Sequence, residues 1–139
     1  MKTSRRLFLI VGTTLFHPYL ATAATLIHEY APEVPIIFFS IATQGGAAHD
    51  PGGRQGLTQL MTQLLLRGTQ STPKDSFARA LDVLGANLEI ETRLDTVIIH
   101  GAVLHSEWGP FTQKVVEMLA HPAFSALELE RLRAETLSQ

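Results

Sequence analysis

Gly56-Leu57-Thr58-Gln59-Leu60-Met61-Thr62-Gln63-Leu64-Leu65-Leu66-Arg67-Gly68-Thr69 is the stretch from which the architecture is read. Leu57, Leu60, Met61, Leu64 and Leu65 recur at i, i+3, i+4, i+7 and i+8, which predicts a helix laying an apolar stripe on a sheet. Gln59 and Gln63 stand one turn apart on a different, polar-leaning face.

Upstream, residues 34–43 contain the run Pro35-Ile36-Ile37-Phe38-Phe39-Ser40-Ile41-Ala42. It is too continuous for a one-face strand and predicts a strand buried on both faces, central in its sheet. Residues 44–55 collect five Gly or Pro residues with His49, Asp50 and Arg54, a loop by composition. Downstream, Thr72 reads as a helix cap with Pro73 at the first helical position and Asp75 three residues after the cap. This helix stops at Gly85 and buries Phe77, Ala80, Leu81 and Leu84.

Residues 87–92 alternate, Leu88 and Ile90 against Glu89 and Glu91, and residues 96–104 form a second β-rich run. With Arg93-Leu94-Asp95 as the turn, these make a hairpin. Ser106 caps a third helix with Val115, Val116, Met118 and Leu119 inward, ended by Pro122. Ser125 and Glu128 form a capping box for a last helix through Leu127, Leu129, Leu132 and Leu137. The order β-α-α-β-β-α-α predicts an α+β fold, helices over a largely antiparallel sheet.

The first residues concern destination. Lys2, Arg5 and Arg6 precede an apolar run from Leu7 to Phe16, and Ala21-Thr22-Ala23 offers a small-x-small cleavage site, the pattern of a secretory signal peptide over residues 1–23. Thr13, Thr14, His17 and Pro18 interrupt the run, which falls short of the roughly 20 residues a membrane anchor needs. Cleavage would remove three of the 11 basic residues and none of the 13 acidic ones, leaving a net charge of −5 on residues 24–139. A nucleic-acid partner is not expected at that charge. With no Cys in the chain, disulfide and thiolate chemistry are excluded. The 45% apolar content suffices for the core of one small domain.

The order of elements joins several short motifs: Gly45-Gly46-Ala47-Ala48-His49-Asp50-Pro51, Gly56-Leu57, Leu66-Arg67-Gly68-Thr69, Leu81-Asp82-Val83-Leu84-Gly85-Ala86 and Pro122-Ala123-Phe124. Together they resemble the insulinase/pitrilysin family of zinc metallopeptidases over roughly residues 26–139. The resemblance implies a half-unit of the LuxS/metallopeptidase-like type, one of the homologous α+β units of a clamshell. In such a clamshell an active unit supplies zinc and an inactive unit helps enclose substrate. The chain corresponds to the first part of one unit, so a truncated product or fragment is expected, its sheet lacking strands supplied later.

In that family the helix quoted above carries H-x-x-E-H, two His ligands and a Glu that activates water. Those places read Gln59, Thr62 and Gln63 here, and the further downstream Glu ligand falls on Gln139, with Glu130 and Glu135 the nearby acids. Catalytic zinc takes three protein ligands from among imidazole, thiolate and carboxylate, and a neutral amide is a weak donor. Thr62 cannot replace Glu as general base.

Two readings follow: Gln59, Thr62, Gln63 and Gln139 form a pseudo-active site facing a substrate chamber, or Gln59, Thr62 and Gln63 are an exposed polar helix face. No metal is implied by either. In related peptidases an edge strand pairs with extended substrate, and here that strand is Ala86, Asn87, Leu88, Glu89 and Ile90. The alternative is a strand that merely completes the sheet.

The histidines add little. His100 and His105 are five apart and would point to opposite faces of a strand, while His49-Asp50 suits a loop bonded to itself. No G-x-S-x-G or P-loop is present. The expected function is an exported non-catalytic homologue, periplasmic in a Gram-negative host, partnering a catalytic family member and enclosing or binding extended peptide. The alternatives are a zinc endopeptidase with displaced ligands, the only case requiring zinc, and a remnant without independent function.

Overall fold

Among the described strands the middle place belongs to the second arm of the hairpin, not to the run that follows Pro35. The structure, a computed structural model, describes residues 33 and 35–137; residues 1–23 and Gln139, named above for a signal peptide and a ligand position, lie outside them. The elements run β1 (Ile36–Gln44), α1 (Leu57–Leu65), α2 (Lys74–Val83), β2 (Asn87–Thr92), β3 (Thr96–Leu104), α3 (Trp108–Ala120) and α4 (Ala126–Leu137). The fold is α+β, and its described strands are all antiparallel, in the order β1-β3-β2.

Strand pairing sets which side chains share a face. Ile37, Phe39 and Ile41 of β1 lie opposite Val103, Gly101 and Ile99, and Leu88 and Ile90 of β2 lie opposite Gly101 and Ile99 from the other side. This face is covered by helices, and the core gathers there: Leu65, Phe77, Leu88, Ile99, Val103, Phe111, Val115 and Met118, flanked by Phe39. Phe39 meets Phe111 edge-on with ring centroids 5.4 Å apart, which anchors α3 on β1.

Three expectations are corrected. The run at Pro35–Ala42 is not buried on both faces: Phe38, on the face away from the core, is 74% exposed, and among the described strands β1 pairs with β3 alone. Pro73, extended at φ −60° and ψ 158°, is itself the cap of α2, so the helix begins at Lys74 rather than after Thr72. Ser106 sits in a 3-10 turn with its hydroxyl on Glu107, and α3 begins at Trp108. That start rotates Phe111, Val115 and Met118 inward, leaving Val116 58% exposed and Leu119 outward as well.

Candidate pseudo-active site and strand edge

The loop before α1 is wound against the hairpin turn. Ala47 and Ala48 donate backbone N–H bonds to Arg93 O (2.9 Å) and Leu94 O (2.8 Å). A Cβ on Gly46 would stand 2.2 Å from Arg93 O and 2.5 Å from Thr96 N, so only glycine fits there.

Asp50 then turns back on the start of α1. One carboxylate oxygen accepts Gly56 N–H at 2.7 Å, and the other accepts Thr58 N–H at 2.9 Å and the Thr58 hydroxyl at 2.6 Å. Thr58, with these backbone amides, holds the Asp50 carboxyl below its ordinary range. The loop is thus bonded to the helix start through Asp50 rather than through His49, and the carboxylate meets otherwise orphaned N–H groups.

On α1 the three family positions separate. Gln59 and Gln63 are exposed, one turn apart. Thr62 is 2% exposed: its hydroxyl bonds Gln59 O at 2.8 Å and Thr92 Oγ1 of β2 at 2.8 Å. Leu57 and Met61, expected inside, are on the surface, and Leu64 and Leu65 are buried. The inward face of α1 therefore passes through Thr62, and the polar face reduces to the two glutamines.

This donor set does not fit zinc. Gln59 and Gln63 offer neutral amides, and the Thr62 oxygen is committed to β2. Of the acids near the downstream ligand position, Glu135 holds Arg67 (Oε2 to Nη2, 2.5 Å) and Glu130 holds Arg133 (2.9 Å). Among the described residues no three His, Cys, Asp or Glu side chains converge.

The segment after α1 ties the helices together. Arg67 reaches α4 through Glu128 (3.3 Å) and Glu135, and these carboxylates, Glu135 foremost, raise its pKa. Gly68, at φ +105°, lets the chain turn back on Thr72. Thr69 is buried, donating its hydroxyl to Glu117 Oε1 of α3 at 2.7 Å, and Gln70 N–H bonds His121 O at 2.9 Å. Glu117 also accepts the Ser71 hydroxyl and Lys114 Nζ (3.1 Å). The Ser71 hydroxyl first, then Thr69 and Lys114, bring the Glu117 carboxyl down to about 2. Neither Glu117 nor Thr92 was singled out by sequence, because each is joined to its partner only by the fold.

The stretch expected from the family resemblance to bind peptide resolves into Ala86, where Gly85 ends α2, and the first four residues of β2: Asn87, Leu88, Glu89 and Ile90. No other described strand borders β2 on its outer side. Arg93 N–H bonds Thr96 O (2.8 Å), and Gly45 N–H bonds Asp95 O (3.1 Å). Because bonded and non-bonded pairs alternate, β3 turns its even-numbered backbone groups to β2 and its odd-numbered ones to β1. Asn87, Glu89 and Glu91 accordingly bond to β3, and the N–H and C=O groups of Leu88, Ile90 and Thr92 face outward.

A sheet of this topology, with an α1 of this sequence lying across β2, defines a unit of the metallopeptidase-like α+β class. The chain belongs to the insulinase family, peptidase family M16, whose model matches residues 26–139. It is 25% identical over 113 residues to the Helicobacter pylori (strain ATCC 700392 / 26695) protein named non-peptidase homolog YmxG, a match covering 81% of this chain and 26% of that one. The crystal structure of the peptidase M16 inactive domain from Pseudomonas fluorescens superposes with a TM-score of 0.71 at 21% identity, covering 76% of this chain and 26% of that chain. This chain thus spans about a quarter of the length of the relatives it matches.

Proposed function

We propose that this chain is a non-catalytic member of its family, a pseudo-peptidase that holds extended peptide along the outer edge of β2 and works beside a catalytic homologue. One observation carries the reading: the two ligand places hold exposed amides, and the place of the water-activating Glu holds a threonine bonded into the sheet. That site has no group to take a proton from water and no ligand set for a divalent cation. The names of its relatives, a non-peptidase homologue and an inactive domain, support the same reading.

Binding by strand addition needs only outward backbone groups, and β2 offers those of Leu88, Ile90 and Thr92. The catalytic partner would supply the remaining walls of a chamber. Export is supported by Lys2, Arg5 and Arg6, the apolar run after them and Ala21-Thr22-Ala23, which together would place the protein in the periplasm of a Gram-negative host.

Zinc analysis of purified protein, together with an assay on an unstructured peptide, tests the chemistry. One bound zinc per chain with chelator-sensitive cleavage would overturn the proposal. Co-purification from the host tests the partner, with a catalytic member of the same family the expected companion and fractionation locating both.

A further inference from the structure

The outer edge of β2 carries a charge pattern that its backbone does not require. Glu89 and Glu91 are two residues apart and share one face, and their side chains are 59% and 49% exposed. The phase of the ladder makes their position consequential. Their own N–H and C=O groups are spent on β3, so a strand added at the outer edge would meet Glu89 and Glu91 in non-hydrogen-bonded pairs. These are the pairs with the closer approach, Cα atoms about 4.5 Å apart rather than about 5.5 Å.

We infer that the β2 edge selects extended peptides carrying lysine or arginine at alternate positions, seated opposite Glu89 and Glu91. This rests on the strand-addition reading above and names the class of peptide it admits. Residues between the cations would point to the helix-covered face, where β2 presents Leu88 and Ile90, so uncharged, β-favouring side chains suit them.

Three groups already touch the glutamates. Asn87 donates its amide to Glu89 at 2.9 Å, His100 Nε2 lies 3.8 Å from Glu89, and Arg93 pairs with Glu91 through two 3.0 Å bonds. The Arg93–Glu91 pair is exposed at both ends, so an incoming cation can exchange with it at little cost. The same pattern disfavours a second copy of the chain. Two β2 strands paired antiparallel would set glutamate opposite glutamate, and like charges so placed repel.

The test uses the full chain and fluorescence anisotropy with short labelled peptides in which Val or Thr alternates with Lys, with Gln or with Glu. Lysine peptides should bind about fivefold or more tightly than glutamine peptides, and those in turn more tightly than glutamate peptides, the gaps narrowing with added salt. The E89Q/E91Q protein should lose the preference, and E89K/E91K should invert it. Both sites are exposed, and near-UV circular dichroism verifies that the variants fold.

Equal binding of the three peptides overturns the inference, as does a preference that survives E89Q/E91Q or a peptide with its lysines clustered binding as well as the alternating one. If binding persists without charge preference and is abolished by N-methylating alternate peptide amides, strand addition stands and only the charge rule falls. If no peptide binds, or N-methylation has no effect, the strand-addition reading falls and the inference with it.

Discussion

Replacing Thr62 by valine removes one hydroxyl and almost no volume, so it isolates the bond between α1 and β2. That hydroxyl is 2% exposed as part of its residue and bonds both Gln59 O and Thr92 Oγ1 at 2.8 Å. A net intramolecular hydrogen bond contributes about 1 kcal/mol, and stranding a partner adds to the loss, so T62V should destabilise the fold by about 1–2 kcal/mol. For a domain of this size that is a fall in Tm of about 3–10 °C.

T92V should cost less, because Thr92 is only half-buried. The double variant T62V/T92V should show a coupling of about 0.5–1.5 kcal/mol, since the second substitution has no bond left to break. Restoring the family's residue by T62E is the harsher change, placing a longer, charged group in a buried position at a cost above about 3 kcal/mol. Urea unfolding followed by circular dichroism measures all four. Additive single effects, or a T62E protein as stable as the parent, would show that Thr62 is not fixed to β2 and remove the main support for a disabled site.

Other outcomes are equally specific. F111A should cost about 3–5 kcal/mol and V116A less than about 0.5 kcal/mol in the same unfolding assay, because Phe111 is 1% exposed and Val116 points outward. G46A should fail to fold or should unfold at a much lower temperature, since its Cβ meets backbone atoms of Arg93, Leu94 and Thr96 that cannot move independently. Glu117 has a folded pKa near 2 against an ordinary 4.5, so the stability it confers is present above about pH 4.5 and is lost as pH falls toward 2. The Tm of the parent should therefore exceed that of E117Q at neutral pH, with the gap closing over that window.

Local pattern sufficed for the hairpin. Alternation in Asn87–Thr92, a polar turn and the β-rich run after it set bounds that the structure repeats at Thr96–Leu104. Pattern did not suffice for the burial of β1, because an apolar run records side-chain chemistry and not what covers each face. Ile36 and Phe38 are apolar yet lie on a face that no described helix covers. The orientation of α1 was illegible for a related reason. Periodicity drew its buried stripe through Leu57 and Met61, whereas Thr92, thirty residues away, draws Thr62 inward and turns Leu57 and Met61 toward the surface.

The motifs around α1 are held mechanically, whatever stands at Gln59 and Gln63. Gly46, Arg67, Gly68 and Thr69 are held by contacts outside the helix, with the hairpin turn, α4, the Thr72 turn and α3 in that order, and Asp50 is held by the start of α1. At Gly46 the approach is so close that an added Cβ would stand 2.2 Å from Arg93 O. Gln59 and Gln63 are exposed on the helix surface, so substitutions there should cost the fold little. Thr62 lies between these cases, since it shares the helix with the two glutamines and also bonds a strand. The scaffold and the chemistry are therefore separable along one helix, with the substitutable positions facing outward and the constrained ones facing the sheet or flanking the helix ends. The strand edge does not depend on Gln59 or Gln63, because β2 is positioned by β3 and by the core beneath it, and neither includes those residues.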